Sequence, residues 1–239
     1  MSSKARAAIV LAAGQGIRME SDRAKVLHEV GGHPMAEHVV RNVVRAGIDI
    51  VVVVVGHQAV EVKAAVRGFI QVTCVEQHER RGTGHAAQQA MPFLRGTWSE
   101  TVLVLAGDAP LLRPKTLRAL ADAHDVSSAV ATVLTADLED PTGYGRVVRD
   151  AEGMLDRIVE QQDATPAEQA LHEINSGIYA FDLEALDQAL QQVTNKNAQG
   201  EFYLTDTIGL LRRAGRAVAA VKAAEIGRAS WRERVLASV

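Results

Sequence analysis

The chain has 239 residues, 26 basic and 29 acidic side chains, a formal net charge of −3, and 47% hydrophobic residues. Its length predicts one large α/β domain or a domain with an appendage, and its hydrophobic content is high enough to bury a core, which excludes a disordered chain. The near-neutral charge argues against a nucleic-acid-binding protein, and the longest strongly apolar stretch, residues 50–55, is far below the roughly 18 residues that span a bilayer.

Strand and helix signals alternate through the first half of the chain. Strands are predicted at residues 7–13, 50–55 and 101–105, and helices are predicted to begin at Pro34, near residue 61 and near Pro114. In the first of these helices Pro34 occupies a starting position and Gly47 supplies the stop. This alternation predicts a parallel, doubly wound sheet.

After about Ser127 the pattern changes to strands joined by polar or Gly-rich connections, which predicts a mixed extension of the same sheet. The predicted strands are residues 129–134, 146–149, 155–160, 178–181 and 217–221, and two helices are marked by Leu183, Leu186 and Leu190 and by Leu204, Ile208 and Leu211. No repeat or linker interrupts the chain, so one continuous α/β domain with a mixed, mainly parallel sheet is expected.

A glycine-containing loop, residues 11–19, follows the first strand. Glycines there leave backbone N–H groups bare, so a phosphate can approach closely, although a simple Gly-rich turn also fits. A dinucleotide fingerprint would need a third glycine where Met19 stands and an acidic residue where the second strand ends in Gly56-His57. A Walker loop fails because no Gly-Lys-Ser/Thr follows. A different kind of phosphate loop remains.

Two cations accompany this loop, Arg18 within it and Lys25 a little later in the chain. They could neutralise a polyphosphate, the Arg as a bidentate fork and the Lys as a point charge. From spacing alone, ordinary surface solvation is an equal alternative.

Asp108 ends an apolar strand after a glycine, at the edge of the predicted parallel sheet where ligands of such sheets bind. As an aspartate without a neighbouring basic residue it suits Mg²⁺, which prefers one or two carboxylates with phosphates and waters. The alternative is a cap for the following helix.

Other catalytic signatures are missing from the sequence. Cys74 is the only cysteine, which excludes an internal disulfide or a cysteine-based zinc site and favours a reducing cytoplasm. The eight histidines form no His-x-x-x-His pattern and there is no Gly-x-Ser-x-Gly elbow, so structural or solvent roles are expected for the histidines.

Seven segments, in order between about residues 5 and 223, carry a family resemblance. They are residues 11–19 with Lys25, 82–86, 107–111, 143–146, 158–160, 175–179 and 201–206. With them the chain resembles the sugar-1-phosphate nucleotidylyltransferases, most closely the uridylyltransferase domain of the bifunctional bacterial enzyme that makes UDP-N-acetylglucosamine. The resemblance implies a Rossmann-like nucleotidyltransferase fold.

The resemblance also implies roles for individual residues. The uracil would be held by the backbone of Leu11, Ala12, Ala13 and Gly14 and by Gln77, Gly82 and Thr83. The N-acetylglucosamine would be held by Gly145, Glu160, Asn175 and Thr205. The phosphates and Mg²⁺ would be held by the catalytic residues Arg18 and Lys25, by Ala106 and Gly107, and by the metal ligand Asp108. Taken alone, Gln77 would be a solvated loop residue, Glu160 a surface charge, and Gly145 and Asn175 turn residues. An amide such as Gln77 offers both a donor and an acceptor to the uracil edge.

The implied reaction is attack of N-acetylglucosamine-1-phosphate on the α-phosphorus of UTP, giving UDP-N-acetylglucosamine and pyrophosphate with Mg²⁺ as cofactor. The substrate phosphate is the nucleophile, so no catalytic base is needed, only alignment and charge neutralisation. A related nucleotidylyltransferase with another base or sugar, and a fragment that binds without turnover, stay open.

The sequence departs from the family pattern in three places. Ala24 stands where proline is usual, and Ala106 stands where a tyrosine often precedes Gly-Asp. Residues 224–239 lack the asparagine that completes the family's metal site, so we expect an atypical, non-native tail after a uridylyltransferase domain of residues 1–223. The acetyltransferase β-helix, which forms the family's homotrimer, has no counterpart, so uridylyl transfer alone is expected.

Overall fold

The architecture is that of a computed structural model, which describes residues 5–16 and 21–223. The strands are β1 (Arg6–Ala12), β2 (Glu29–Val30), β3 (His33–Pro34), β4 (Ile50–Val55), β5 (Val72–Glu76), β6 (Thr101–Ala106), β7 (Ala131–Asp137), β8 (Arg146–Arg149), β9 (Leu155–Val159), β10 (Glu173–Asp182) and β11 (Val218–Lys222). The helices are α1 (Met35–Arg45), α2 (Ala59–Val66), α3 (Thr83–Leu94), α4 (Pro114–Val126), α5 (Pro166–Gln169), α6 (Leu183–Leu190) and α7 (Asp206–Arg213).

The main sheet of the described chain has the order β11-β7-β10-β6-β1-β4-β5, with β8 and β9 attached beside β10. Neighbouring strands from β6 to β5 are parallel, as are β11 and β7, whereas β10 runs antiparallel between β6 and β7. Helices cover both faces. The α/β fold class with a doubly wound, mixed but mainly parallel sheet is therefore confirmed.

The core lies on both faces of the central strands, because successive side chains of a strand point to opposite faces. In β1, Val10 joins the cluster formed with α1, α2 and α4, and Ile9 joins the cluster formed with α3, α6 and α7. Burial on both faces explains why β1, β4 and β6 are continuous apolar runs. It also holds the carboxyl ends of these strands rigidly beside one another.

Four elements of the first half were not predicted: the two-residue strands β2 and β3, the edge strand β5 and the helix α3. β5 is a sheet edge in which only Val75 is buried, so its apolar pattern is weak. The helix α3 begins with Thr-Gly-His and contains Pro92, which lowers its helical propensity. It is stabilised by packing of Ala87, Ala90 and Met91 against the sheet.

The strand β10 is longer than the predicted residues 178–181, and its pairing with β7 shifts between Asn175 and Ile178. This irregularity lies at the end of β10 that adjoins the carboxyl end of β6. Bulges of this kind change the direction of side chains near ligand sites. Asn175 thereby reaches the candidate site.

Two predictions fall outside the described residues: the catalytic role of Arg18 and the atypical tail at 224–239. Among residues 5–16 and 21–223, no helix combines the length and the apolar character that a bilayer crossing requires.

Candidate functional site

The loops after β1 and β6 lie against each other at the carboxyl edge of the parallel strands. The N–H of Gly107 donates to the carbonyl of Leu11 at 2.8 Å. A Cβ on Gly107 would approach the Cβ of Ala12 to 3.1 Å, so glycine permits this close contact. Asp108, the next residue, is thereby placed beside the glycine loop.

Lys25 and Asp108 form an ion pair at this edge. The Lys25 Nζ lies 2.5 Å from the Asp108 Oδ2, and each side chain is roughly one-third exposed. The interpretation of Asp108 as an aspartate without a neighbouring basic residue is therefore wrong in the folded chain, because Lys25, 83 positions earlier in the sequence, contacts it. The alternative of a helix cap is also wrong, since α4 begins at Pro114 after Arg113 at the cap position.

The position of Lys25 is fixed by a short 3-10 turn, Lys25–Leu27, in which Val26 and Leu27 are buried. The N–H of Ala24 donates to the Oε1 of Gln58 at 2.7 Å. A proline at position 24 would lack this donor. The departure at Ala24 thus adds a hydrogen bond that ties the lysine turn to the start of α2.

One cavity at this edge of the described chain, the glycine-loop cavity, lies between the loop after β1 and the start of α3. Of the predicted uracil-binding residues, its lining contains Leu11, Ala13, Gly14, Gln77, Gly82 and Thr83. Gln77 is only 4% exposed, so the alternative of a solvated loop residue is wrong. Ala12 is buried in the core and does not line this cavity.

The amide of Gln77 has a fixed orientation. Its Nε2 donates to the carbonyl of Gly82 at 3.1 Å and contacts the Nδ1 of His85 at 2.9 Å. Both N–H groups are therefore engaged within the protein, and the side chain offers a ligand its carbonyl oxygen. The expected pair of donor and acceptor is corrected to a single acceptor.

The second cavity, the Asn175 cavity, is lined by Gly145, Glu160 and Asn175, which the sequence assigned to one sugar site. The Nδ2 of Asn175 donates to the hydroxyl of Tyr179 at 2.6 Å, and its Oδ1 accepts from the N–H of Gly177 at 3.0 Å. Burial raises the pKa of Tyr179, and Glu160 adds to that shift, so the phenol stays neutral. Asn175 is thus anchored at both ends of its amide.

Thr205 is buried and lines neither cavity. Its hydroxyl donates to the Oε1 of Glu160 at 3.0 Å, so its predicted part in sugar binding becomes an indirect one, through Glu160. Similarly, the Thr83 hydroxyl accepts from the N–H of Leu204 at 3.0 Å. These two bonds tie the segment before α7 to both cavities.

The two cavities adjoin each other, because Lys25, Ala106 and Asp108 line both. Molecules bound in the two cavities would therefore be in contact beside the ion pair. Gly107, between Ala106 and Asp108, is buried against Ala12 and Val26 and lines neither cavity.

The protein groups at the site suit Mg²⁺ only if a bound substrate also supplies oxygen atoms to the metal. The described residues contain no cluster of three or more metal-binding side chains. Asp108 provides a carboxylate at the junction of the cavities, which is the minimal protein contribution that Mg²⁺ accepts when phosphates and waters complete its shell. The residues present are compatible with such a site.

Arg80, His85 and Tyr179 are among the residues of the site that were not predicted from the sequence. Arg80 lines the glycine-loop cavity, and its Nη1 donates to the Oε1 of Gln15 at 2.7 Å. His85 and Tyr179 act on the amides of Gln77 and Asn175. His85 and Tyr179 lie inside the motifs at 82–86 and 175–179, and Arg80 lies two residues before the first of them. Membership of a motif did not distinguish these side chains from their neighbours.

Residues 8–174 match the MobA-like NTP transferase domain. The chain belongs to this family. It is accordingly a nucleotidyltransferase, as the family resemblance predicted.

Its curated relatives include the bifunctional protein GlmU of Halalkalibacterium halodurans, 49% identical over 221 residues, 92% of this chain and 48% of the relative. Another is the GlmU of Pelotomaculum thermopropionicum, 50% identical over 216 residues, 90% and 47% of the two chains. The chain thus spans about half the length of the curated relatives it matches.

Solved structures share the fold. A UDP-glucose pyrophosphorylase complexed with UDP-glucose superposes with a TM-score of 0.73 at 16% identity, covering 90% of this chain and 89% of the other. A putative glucose-1-phosphate thymidylyltransferase from Bacillus anthracis gives 0.77 at 21% identity, covering 98% and 94%.

Proposed function

We propose that this chain transfers UMP from UTP to N-acetylglucosamine-1-phosphate, giving UDP-N-acetylglucosamine and pyrophosphate. The observation that carries the proposal is the pair of adjoining cavities with Lys25 and Asp108 at their boundary. The glycine-loop cavity takes the nucleotide and the Asn175 cavity takes the sugar. The two phosphate groups then meet beside the ion pair, and that is where the new bond must form.

The chain contributes alignment and charge. The sugar phosphate attacks the α-phosphorus of UTP, its oxygen forms the new P–O bond, and pyrophosphate leaves with the electrons of the broken bond. No proton has to be removed from the nucleophile, so no base is required. Lys25, and by resemblance Arg18, neutralise charge on the transferring phosphoryl group, while Glu160 and Asn175 orient the sugar.

Mg²⁺ is proposed as the cofactor, with Asp108 as its ligand in this chain. When bound, it would supply positive charge to the phosphate oxygens at the boundary. Asp108, which pairs with Lys25 in this structure, is the residue that would hold the metal. Residues 1–223 are proposed as the uridylyltransferase unit, and its proposed location is the cytoplasm. A homotrimer is proposed only for a protein that also contains the β-helix domain.

The relatives named GlmU support uridylyl transfer because nearly the whole chain resembles them. The Gln77 side chain offers a single acceptor, which favours binding of a base with a ring N–H. Uracil has such an N–H and cytosine does not. Thymine presents the same edge, so this contact alone leaves a thymidylyltransferase as the second candidate. Its support is the fold shared with such a structure.

The test is a pyrophosphate-release assay with Mg²⁺ and every pairing of UTP, TTP or CTP with N-acetylglucosamine-1-phosphate or glucose-1-phosphate. We expect the highest kcat/KM with UTP and the N-acetylated sugar. A higher value with TTP or with glucose-1-phosphate would overturn the assignment of base or sugar. Binding of UDP-N-acetylglucosamine without any pyrophosphate release would identify a binding-only protein.

A further inference from the structure

His85 lies in the first turn of α3 and contacts Gln77, which lines the glycine-loop cavity, whereas His85 itself does not line it. Its Nδ1 is 2.9 Å from the Nε2 of Gln77, and the carbonyl of Gly82 is 3.1 Å from the same nitrogen. Rotating the amide by 180° would turn its oxygen towards two acceptors. The two contacts therefore select one of the two amide orientations.

We propose that His85 is a specificity-determining positioning residue: by accepting a hydrogen bond from Gln77 it commits the Gln77 oxygen to the nucleotide base. A site that offers an acceptor there favours uracil, whose N3 carries a hydrogen, and rejects cytosine, whose N3 is an acceptor. This inference rests on the proposed function, because it assumes that the glycine-loop cavity takes the base.

The Gly82 carbonyl is a rigid partner in this arrangement. Gly82 has φ +104°, and a Cβ there would lie 2.6 Å from the carbonyl oxygen of Phe202, so the backbone cannot accept a larger residue without moving. The Gly82 carbonyl also accepts the N–H of Ala86 at 3.1 Å, inside the first turn of α3. One of the two acceptors is thus set by the backbone, and the other depends on the protonation of His85.

The surroundings keep His85 neutral, as an accepting Nδ1 requires. Burial lowers the pKa of His85 and the charge of Arg81 lowers it further, whereas a backbone hydrogen bond to Glu79 and the charge of that residue act in the opposite direction. Arg81 is itself held over the ring of Phe202, 4.7 Å from its centroid, and the same ring packs 6.4 Å from the imidazole. Arg81 and Glu79 are the charged groups that act on this histidine.

Protonation reverses the contact. Below the depressed pKa of His85, Nδ1 carries a hydrogen and opposes the Gln77 amide nitrogen. The amide is then drawn towards its other orientation, which presents N–H to the base, while Gly82 resists. Preference for UTP over CTP should therefore fall as the pH falls through the pKa of His85. Titration of the triphosphate is common to both nucleotides and cancels in their ratio. Protonation of the cytosine ring at the acid end does not cancel, so the role of His85 is measured as the fall in the parent beyond any fall in His85→Asn.

The experiment measures the dissociation constants of UTP and CTP by equilibrium binding between about pH 5 and about pH 8, the range in which histidines titrate. The variants are His85→Asn, whose side-chain oxygen keeps an acceptor near the Nδ1 position without titrating, and His85→Phe, which removes the acceptor. His78→Asn is the matched control, because the His78 side chain is 83% exposed and lines neither cavity.

In the parent and in His78→Asn we expect the UTP preference to fall roughly fivefold or more at the acid end. In His85→Asn it should stay high at every pH, and in His85→Phe it should be roughly tenfold lower than in the parent at neutral pH, and flat. A parent preference that does not change with pH, or a His85→Phe preference equal to that of the parent, would overturn the proposal. His85→Asn keeps the test valid if His85→Phe fails to fold.

Failure of the inference can be told apart from failure of the proposed function. A parent that releases pyrophosphate from UTP with a pH-independent UTP preference refutes the role of His85 and leaves the function intact. A parent that shows the pH-dependent preference but releases no pyrophosphate supports His85 and refutes the transfer reaction. A parent with no preference for UTP over CTP refutes both.

Discussion

Replacing Tyr179 with phenylalanine should weaken sugar binding without affecting UTP. Tyr179 is 2% exposed, and its hydroxyl accepts from the Nδ2 of Asn175 at 2.6 Å. Phenylalanine keeps the ring, and with it the stacking on Phe181 at a centroid distance of 5.6 Å, so the change removes the hydroxyl alone. One N–H of a buried amide is then left without its partner.

The magnitude follows from that unpaired group. Asn175 is 9% exposed, so water reaches its amide poorly. Leaving a buried donor unsatisfied costs about 1–3 kcal/mol. We expect the free energy of unfolding to fall by this amount, and the KM for N-acetylglucosamine-1-phosphate to rise roughly five- to tenfold as the amide loses its anchor. The KM for UTP should not change.

A double-mutant cycle separates this contact from general damage to the core. The variants Tyr179→Phe, Asn175→Ala and their combination are compared by denaturant unfolding and by steady-state kinetics with each substrate varied in turn. Because the two groups are in direct contact, their effects should couple by about 0.5–3 kcal/mol. Strictly additive losses, or an equal rise in KM for both substrates, would refute the reasoning.

Four other changes test the rest of the site. Gln77→Ala should weaken UTP binding by roughly 5- to 150-fold in equilibrium binding, because a buried polar contact is lost, and unchanged affinity would contradict its contact with uracil. Lys25→Ala should lower kcat by roughly 10² or more in the pyrophosphate assay, and near-parental turnover would make Lys25 a surface charge. Gly82→Ala should lower the unfolding free energy by about 2–4 kcal/mol in a denaturant titration, because it combines a positive φ with overpacking against Phe202, and a loss below about 1 kcal/mol would show that the loop can move. Replacing the residues after Ala223 with a family-like Gly-Val-Asn segment should lower the Mg²⁺ needed for half-maximal rate, and equal Mg²⁺ dependence would show that another residue already supplies the ligand.

The sequence predicted the elements that carry strong apolar patterns. The runs at β1, β4 and β6 are buried on both sides, so their composition alone indicates central strands. The edge strand β5 and the alanine-rich α3 have little such pattern, and packing decides their structure. The order and direction of strands β7 to β10 depend on pairing between distant segments, which local patterns do not encode.

The candidate site was predicted as a set of residues and not as a set of contacts. Motif resemblance brought Gln77, Glu160 and Asn175 to notice, and the structure places all three on cavity walls. The motif resemblance could not show which polar atoms already have partners within the protein. Examples are the amide nitrogen of Gln77 and the paired charges of Lys25 and Asp108. Those depend on side chains that meet only after folding.

The position of β6 divides the recognition of the two proposed substrates between two halves of the sheet. On one side it pairs in parallel with β1, whose following loop forms the nucleotide cavity; on the other it pairs antiparallel with β10, which carries Asn175. Substitutions in the segment from β7 to β10 can therefore change which sugar phosphate is bound, while the nucleotide cavity stays unchanged. A fold divided in this way can evolve new sugar specificities without rebuilding its nucleotide chemistry, and libraries aimed at new acceptors should be confined to that segment.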